Sequence, residues 1–217
     1  MRSALVALAF LVAGPPPALG AQSPTDQALD RAVAAYKSVR TVRTRFEQTL
    51  TNPVTSRVST ARGEMVLQRP GKISLGFTNP SGDRIVSDGK FVWVYLPSSA
   101  PGQVIRQPAS DAGVGLDFST ELLTAPRTKF SVSDGGVSIA DGRGTHVVVL
   151  TPKTEKAFTR ARIWVDDRDG LVRQLELTEP SGLTRLIKFG QMKLNAKVPS
   201  SAFKFAVPKG VRVVSGS

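Results

Sequence analysis

The sequence predicts a mainly β (α+β) fold: a large antiparallel sheet, curled or barrel-like, with one helix at its start and a shorter one in mid-chain. Three observations predict it. Apolar and polar residues alternate with a period of two along many short segments. Asp-Gly pairs at Asp88-Gly89, Asp134-Gly135, Asp141-Gly142 and Asp169-Gly170 punctuate those segments as hairpin turns do. Helical spacing is confined to residues 26–38 and to Leu116–Leu123.

The elements follow in order. Asp26 or Thr25 can cap the first helix, and Leu29, Val33 and Tyr36 give it one apolar face. Val42, Thr44, Phe46, Gln48 and Leu50 then alternate with Arg43, Arg45, Glu47 and Thr49, a strand with a charged outer face. Met65, Leu67 and Arg69 share one parity, and beyond Pro70-Gly71 so do Ile73, Leu75 and Phe77. A bend at Pro70-Gly71 leaves both halves facing the same concavity. Pro80 to Gly82 reads as a turn, Arg84–Val86 and Phe91–Leu96 flank Asp88-Gly89, and Val104–Gln107 pairs next. Both faces of 91–96 are apolar, so parity does not orient that strand. Residues 108–127 interrupt the strands as a candidate flap: Ser110 to Gly115 is polar, and Leu116–Leu123 is a short helix with Phe118 and Leu122 on one side. Strands are expected again at Phe130–Val132, Val137–Ile139, His146–Thr151, Thr159–Val165, Leu171–Glu179, Leu183–Phe189 and Phe203–Val207.

Composition narrows the function classes. The chain has 217 residues, 41% hydrophobic and 21% charged, which excludes a polytopic membrane protein and a wholly disordered chain. Cysteine is absent, so there is no disulfide framework, thiol nucleophile or cysteine-ligated metal. His146 is the single histidine, and it lies within an apolar strand. There is no G-x-S-x-G elbow, P-loop or G-x-G-x-x-G after a strand. Asp166-Asp167-Arg168-Asp169-Gly170 lacks calcium-loop spacing and fits a hairpin turn. No catalytic residues, metal or cofactor are expected.

The N-terminus reads as a secretory leader over residues 1–21. Arg2 is followed by ten apolar residues, Ala4 to Ala13, then by Gly14 and three prolines, and by small residues suited to cleavage near Ala18–Ala21. Ten residues are too few to span a bilayer. Residues 22–217 then form a single exported domain. The net charge is +12, of which the leader contributes only Arg2. Export argues against nucleic acid and for lipid headgroups or acidic protein faces.

Several segments carry a resemblance. Gly63 to Gly71 (GEMVLQRPG), Pro80, and Ile85 to Tyr95 (IVSDGKFVWVY) resemble the LolA family of periplasmic lipoprotein carriers. Phe46-Glu47-Gln48, Val149 to Lys153 (VLTPK), Asn195 to Phe205 and Pro208 to Val211 extend the match over roughly residues 28–213. The resemblance implies an unclosed, strongly curved antiparallel sheet with a helical lid over a hydrophobic cavity. It implies acylated lipoproteins as ligand, an inner-membrane LolCDE-type ABC transporter as donor, a LolB-type outer-membrane acceptor, and a monomeric periplasmic protein. Having no lipobox cysteine, the chain matches LolA better than LolB. Arg69 matches the family arginine that holds the lid closed. Candidate cavity residues are Phe46, Met65, Leu67, Ile73, Leu75, Phe77, Trp93, Phe118, Leu122, Ile163, Val165, Leu175, Ile187 and Phe189. The alternative is a LolA-like periplasmic sensor or lipid-binding module that ferries nothing.

Overall fold

The structure is a computed structural model that describes residues 22–110 and 117–216. The leader, residue 116 and most of the polar part of the flap lie outside the described residues. Helix α1 (Pro24–Lys37) begins two residues earlier than the sequence suggests. Ser23 is the cap: its hydroxyl accepts the Asp26 N–H, and Pro24 takes the first helical position, where a missing N–H costs nothing. Neither Asp26 nor Thr25 caps it.

Thirteen strands form one sheet. They are β1 (Thr41–Asn52), β2 (Arg57–Gln68), β3 (Lys72–Asn79), β4 (Ser81–Asp88), β5 (Phe91–Tyr95), β6 (Gln103–Pro108), β7 (Phe130–Ala140), β8 (Arg143–Pro152), β9 (Arg160–Asp166), β10 (Val172–Thr178), β11 (Thr184–Phe189), β12 (Lys193–Leu194) and β13 (Arg212–Ser215). Their order is β13-β6-β5-β4-β3-β2-β1-β11-β10-β9-β8-β7, with β12 beside β1. The end strands β13 and β7 do not pair with each other, so the curved sheet stays unclosed. All neighbours are antiparallel except β13, which lies parallel to β6.

The predicted parity holds across Pro70-Gly71. Met65 faces Leu75 and Leu67 faces Ile73 in the β2–β3 register, so all four share the inner face. Helix α1 crosses that face over β8 and β9, burying Ala28, Leu29, Ala32 and Tyr36. Helix α2 (Phe118–Leu123) buries Phe118, Leu122 and Leu123 in the same cluster. The short α3 (Pro126–Lys129) leads into β7. The Asp169-Gly170 turn fits closely beneath α1: Gly170 has φ +71°, and a Cβ there would sit 2.7 Å from the Arg31 carbonyl oxygen.

Two expectations are corrected. Asp134-Gly135 is not a turn between two strands; it is a bulge inside the single strand β7. The Asp134 carboxylate accepts the Gly136 N–H, and Gly136 has φ +81°, so the one extra residue is absorbed without reversing the chain. Phe203–Val207 is not a strand either. Ser200–Phe203 is a 3₁₀ turn and the chain beyond it is unpaired, with the last strand at β13. Pro199 and Pro208 bracket this segment and deprive it of ladder donors. It packs instead on the outer face, where Phe205 stacks on Trp93 at 5.6 Å between ring centroids.

Beyond the apolar core, one buried charge network secures the β9–β10 hairpin. Asp166 is fully buried and accepts from Arg173 Nε at 2.9 Å, from Arg143 and from the Arg168 N–H, while Arg173 also meets Asp169. Burial pushes the Asp166 carboxyl up, but the Arg168 amide, Arg173 and Arg143 outweigh it and hold the group below the ordinary carboxylate range. Its stabilisation is therefore complete above about pH 4 and is lost as pH falls through the lower folded-state value. Asp166→Asn should cost about 3 kcal/mol at pH 7. Urea unfolding should show that deficit shrinking at pH 3; an equal deficit at both pH values would contradict this account.

Candidate functional site: a lidded apolar cavity

The centre of the inner face is apolar because most inward positions there lie opposite an inward apolar residue on the neighbouring strand. Phe46 pairs with Phe189, Gln48 with Ile187, Met65 with Leu75, and Leu75 with Ile85, which faces Val94. Where α1 and α2 cover this face the packing is complete. Beside them it opens into a cavity of about 750 Å³. Its floor and walls are Phe46, Leu50, Met65, Leu75, Phe77, Ile85, Val92, Val94, Leu96, Phe118, Ile187 and Phe189. Phe46 and Phe77 meet edge-on at 5.3 Å, and Phe118 of the lid stacks on Phe189 at 5.1 Å.

Of the residues named from sequence, Phe46, Met65, Leu75, Phe77, Phe118, Ile187 and Phe189 line this cavity. Leu67, Ile73, Leu122, Ile163, Val165 and Leu175 belong to the same apolar cluster but are closed into its packed part. Trp93 is a correction. It pairs with Val86 and Arg106, whose parity is outward, so it lies on the opposite face with Phe205 and the Arg106 guanidinium. Its neighbours Val92 and Val94 point inward instead. These two, with Leu50, Ile85 and Leu96, are apolar lining residues absent from the cavity candidates named from sequence. The alternation of Phe91–Leu96 carries no signal, because the C-terminal segment makes the outer face of that strand apolar as well.

Arg69 joins the two lid helices. It follows β2 on the inward parity, and its Nη1 donates to the Tyr36 carbonyl at 2.9 Å and to that of Val39 at 3.4 Å. Its Nη2 donates to Ser119 Oγ at 2.6 Å. Ser119 in turn donates to Asp117, the residue that caps α2 and lies 3.7 Å from Arg69 Nε. One planar guanidinium thus satisfies the negative end of α1 and the start of α2 together. Further contacts hold the lid. Arg127 pairs with Asp26 and Asp30 on α1 at 2.9 and 2.5 Å, and Lys156 pairs with Glu121 of α2 at 2.9 Å. The Ser23 hydroxyl and Arg127 hold the Asp26 carboxyl below its ordinary range.

His146 anchors the start of α1. Its Nε2 lies 3.1 Å from Thr25 Oγ1 and 2.8 Å from Asp134 Oδ1. A catalytic relay needs hydroxyl and carboxylate on opposite ring nitrogens. Here both meet the same one. Among the described residues, no three His, Asp or Glu side chains gather as a metal site requires. A second groove of about 830 Å³ opens elsewhere, lined among others by Arg45, Glu47, Arg62, Glu64, Arg173 and Lys188. Desolvating so many charges makes it a poor host for an apolar ligand.

Known proteins share this architecture. An uncharacterized conserved protein from Thermus thermophilus superposes with a TM-score of 0.52 at 13% identity, over 89% of this chain and 100% of its own. The lipoprotein LppX of Mycobacterium tuberculosis superposes with a TM-score of 0.50 at 13% identity, over 80% of this chain and 96% of its own. At such identities these likenesses speak to the fold alone. Sequence relatives lie nearer. The outer-membrane lipoprotein carrier protein of Nitrosospira multiformis is 32% identical over 180 residues, 82% of this chain and 84% of that one. That of Methylobacillus flagellatus is 30% identical over 181 residues, 83% and 85% of the two chains. Residues 37–206, which contain β1 to β12, Arg69 and the cavity, match the family described as outer membrane lipoprotein carrier protein LolA, and the chain belongs to that family.

Proposed function

We propose that this protein carries lipoproteins through the periplasm by holding their acyl chains in the lidded cavity, receiving them at the inner membrane and releasing them to an outer-membrane acceptor. The observation that carries the reading is the apolar cavity beside helices latched by a single arginine. An acyl chain of about 16 carbons gains roughly 12 kcal/mol on leaving water, at about 0.8 kcal/mol per methylene. Its unassisted passage across an aqueous compartment is therefore very slow. Three such chains would total roughly 35 kcal/mol, above the ceiling of about 18–21 kcal/mol for non-covalent affinity. A carrier has to bind below that limit. Lid closure does this by competing with the ligand for the inner face.

Loading is work done by the donor, a LolCDE-type ABC transporter; the carrier's own sequence has no P-loop. The acceptor is LolB-like, and the carrier works as a monomer after losing residues 1–21. The test is release. Spheroplasts or transporter vesicles bearing a labelled lipoprotein are incubated with the purified mature protein. Label in a soluble one-to-one complex is the expected result; none, with a folded carrier and an active transporter, would refute the carrier reading. The protein does no covalent chemistry on its cargo. His146→Ala should lower the melting temperature by a few degrees through the loosened α1 anchor and leave transfer near the wild-type rate. Abolished transfer in a folded variant would reopen an enzymatic role.

A further inference from the structure

The apolar lining of the cavity does not run to its mouth. Along the inner face of β1, Phe46 is flanked by Phe189, and Gln48 by Ile187 and Ala61. Leu50 is flanked by Ser59 and Arg185, and Asn52 by Arg57. Within four inward positions the surface changes from aromatic to cationic. Arg57 and Arg185 both line the same cavity as Phe46 and Phe189. Arg185 is held toward it by Gln48 Oε1 at 3.1 Å, with Glu179 at 3.6 Å. The Arg57 side chain has no hydrogen bond or ion pair among the described residues. Asp83, a carboxylate of the cavity lining, accepts from the Ser98 amide and hydroxyl and pairs with neither guanidinium, so Arg185 keeps only Glu179 as an ion-pair partner and Arg57 has none among the described residues.

We propose that Arg57 and Arg185 form a headgroup subsite that selects acyl ligands bearing an anionic group next to the acylated end. The inference rests on the acyl-cavity reading. The geometry suits an amphiphile lying along β1, its chains on the aromatic floor and its anion at the mouth. A guanidinium there donates charge-assisted hydrogen bonds to a phosphate or a carboxylate equally well. The anion has two sources, the phosphate of a lipid or an acidic residue beside the acylated cysteine of the cargo.

Displacement of a fluorescent acyl probe from the mature protein tests this. One pair of lysolipid competitors is monomeric lysophosphatidylglycerol and the uncharged monoacylglycerol of equal chain length, which lacks the phosphate. The other is a pair of dipalmitoylated cysteinyl peptides, one continuing in glutamate and one in lysine. The wild type should prefer the anionic member of a pair about tenfold. Arg57→Gln combined with Arg185→Gln should erase that preference and leave the affinity for the uncharged monoacylglycerol unchanged. Preference within the lysolipid pair alone supports a phosphate ligand; preference within the peptide pair alone supports an acidic residue. Equal binding of both members by the wild type overturns the subsite, as does a preference that survives in the double variant or a loss of monoacylglycerol binding with it. No binding of any probe would instead bring down the acyl-cavity reading, and the subsite with it.

Discussion

Replacing Arg69 by leucine should leave the protein able to load acyl cargo while slowing its transfer to an acceptor at least about tenfold. Arg69 donates three side-chain hydrogen bonds that tie the end of α1 to the start of α2. Its side chain keeps 23% of its exposure, so water screens part of their strength. A net contribution of only about 1.4 kcal/mol to lid closure is already a factor of ten in the closed population. Removing it lowers the competition that closure exerts on the ligand, so cargo binds more tightly and leaves more slowly. Leucine fits the inner face, and the Tyr36 carbonyl retains the Val39 N–H, so the fold should persist. Arg69→Lys separates geometry from charge. An ammonium can reach the α1 carbonyls or Ser119 but lacks the fork that reaches both, so transfer should fall between the two. Transfer by Arg69→Leu at the wild-type rate would overturn the latch.

The inward orientation of Arg69 was legible because it shares parity with Met65 and Leu67, while two of the three alternating positions, Glu64 and Gln68, are polar and only Val66 is apolar. The same rule placed Phe46, Leu75 and Phe77 on the floor. It failed at Trp93, because a segment more than a hundred residues later covers the outer face of β5 and makes both faces apolar. Tertiary cover of that kind leaves no period in the strand it covers. Cross-strand register would have recovered the missed residues: Leu75 leads to Ile85 and Ile85 to Val94. Period and parity also could not divide the inner face between cavity and packed core. Leu175 and Ile187 share that face, yet Leu175 is sealed and Ile187 lines the opening. What separates them is where α1 and α2 lie, which long-range contacts such as Tyr36 with Met192 and with Val172 decide. The bulge in β7 was hidden for a different reason: Asp134-Gly135 reads as a turn pair, but the positive φ falls on the next residue, Gly136, and the chain continues in the same strand.

Leu75→Glu should abolish acyl binding, with an affinity loss of about 100-fold or more and little change in stability. Leu75 is half-buried on the floor, between Met65 of β2 and Ile85 of β4. In the empty cavity a carboxylate at this position stays solvated, so the fold tolerates it. An entering acyl chain has to strip that water away, and burying an unpaired charge costs several kcal/mol; about 2.7 kcal/mol suffices for a hundredfold loss. The same desolvation raises the pKa of the introduced carboxyl in the bound state. Binding should therefore recover as pH is lowered from 7.5 to 5 and the group takes up a proton, whereas wild-type binding has no such dependence at this site. Ser133→Glu, on the exposed outer face of β7, places the same charge away from the cavity and should bind like the wild type. Equal losses in the two variants would mean that surface charge governs binding. An unaffected Leu75→Glu would mean that the acyl chains lie elsewhere, and the cavity reading would fall.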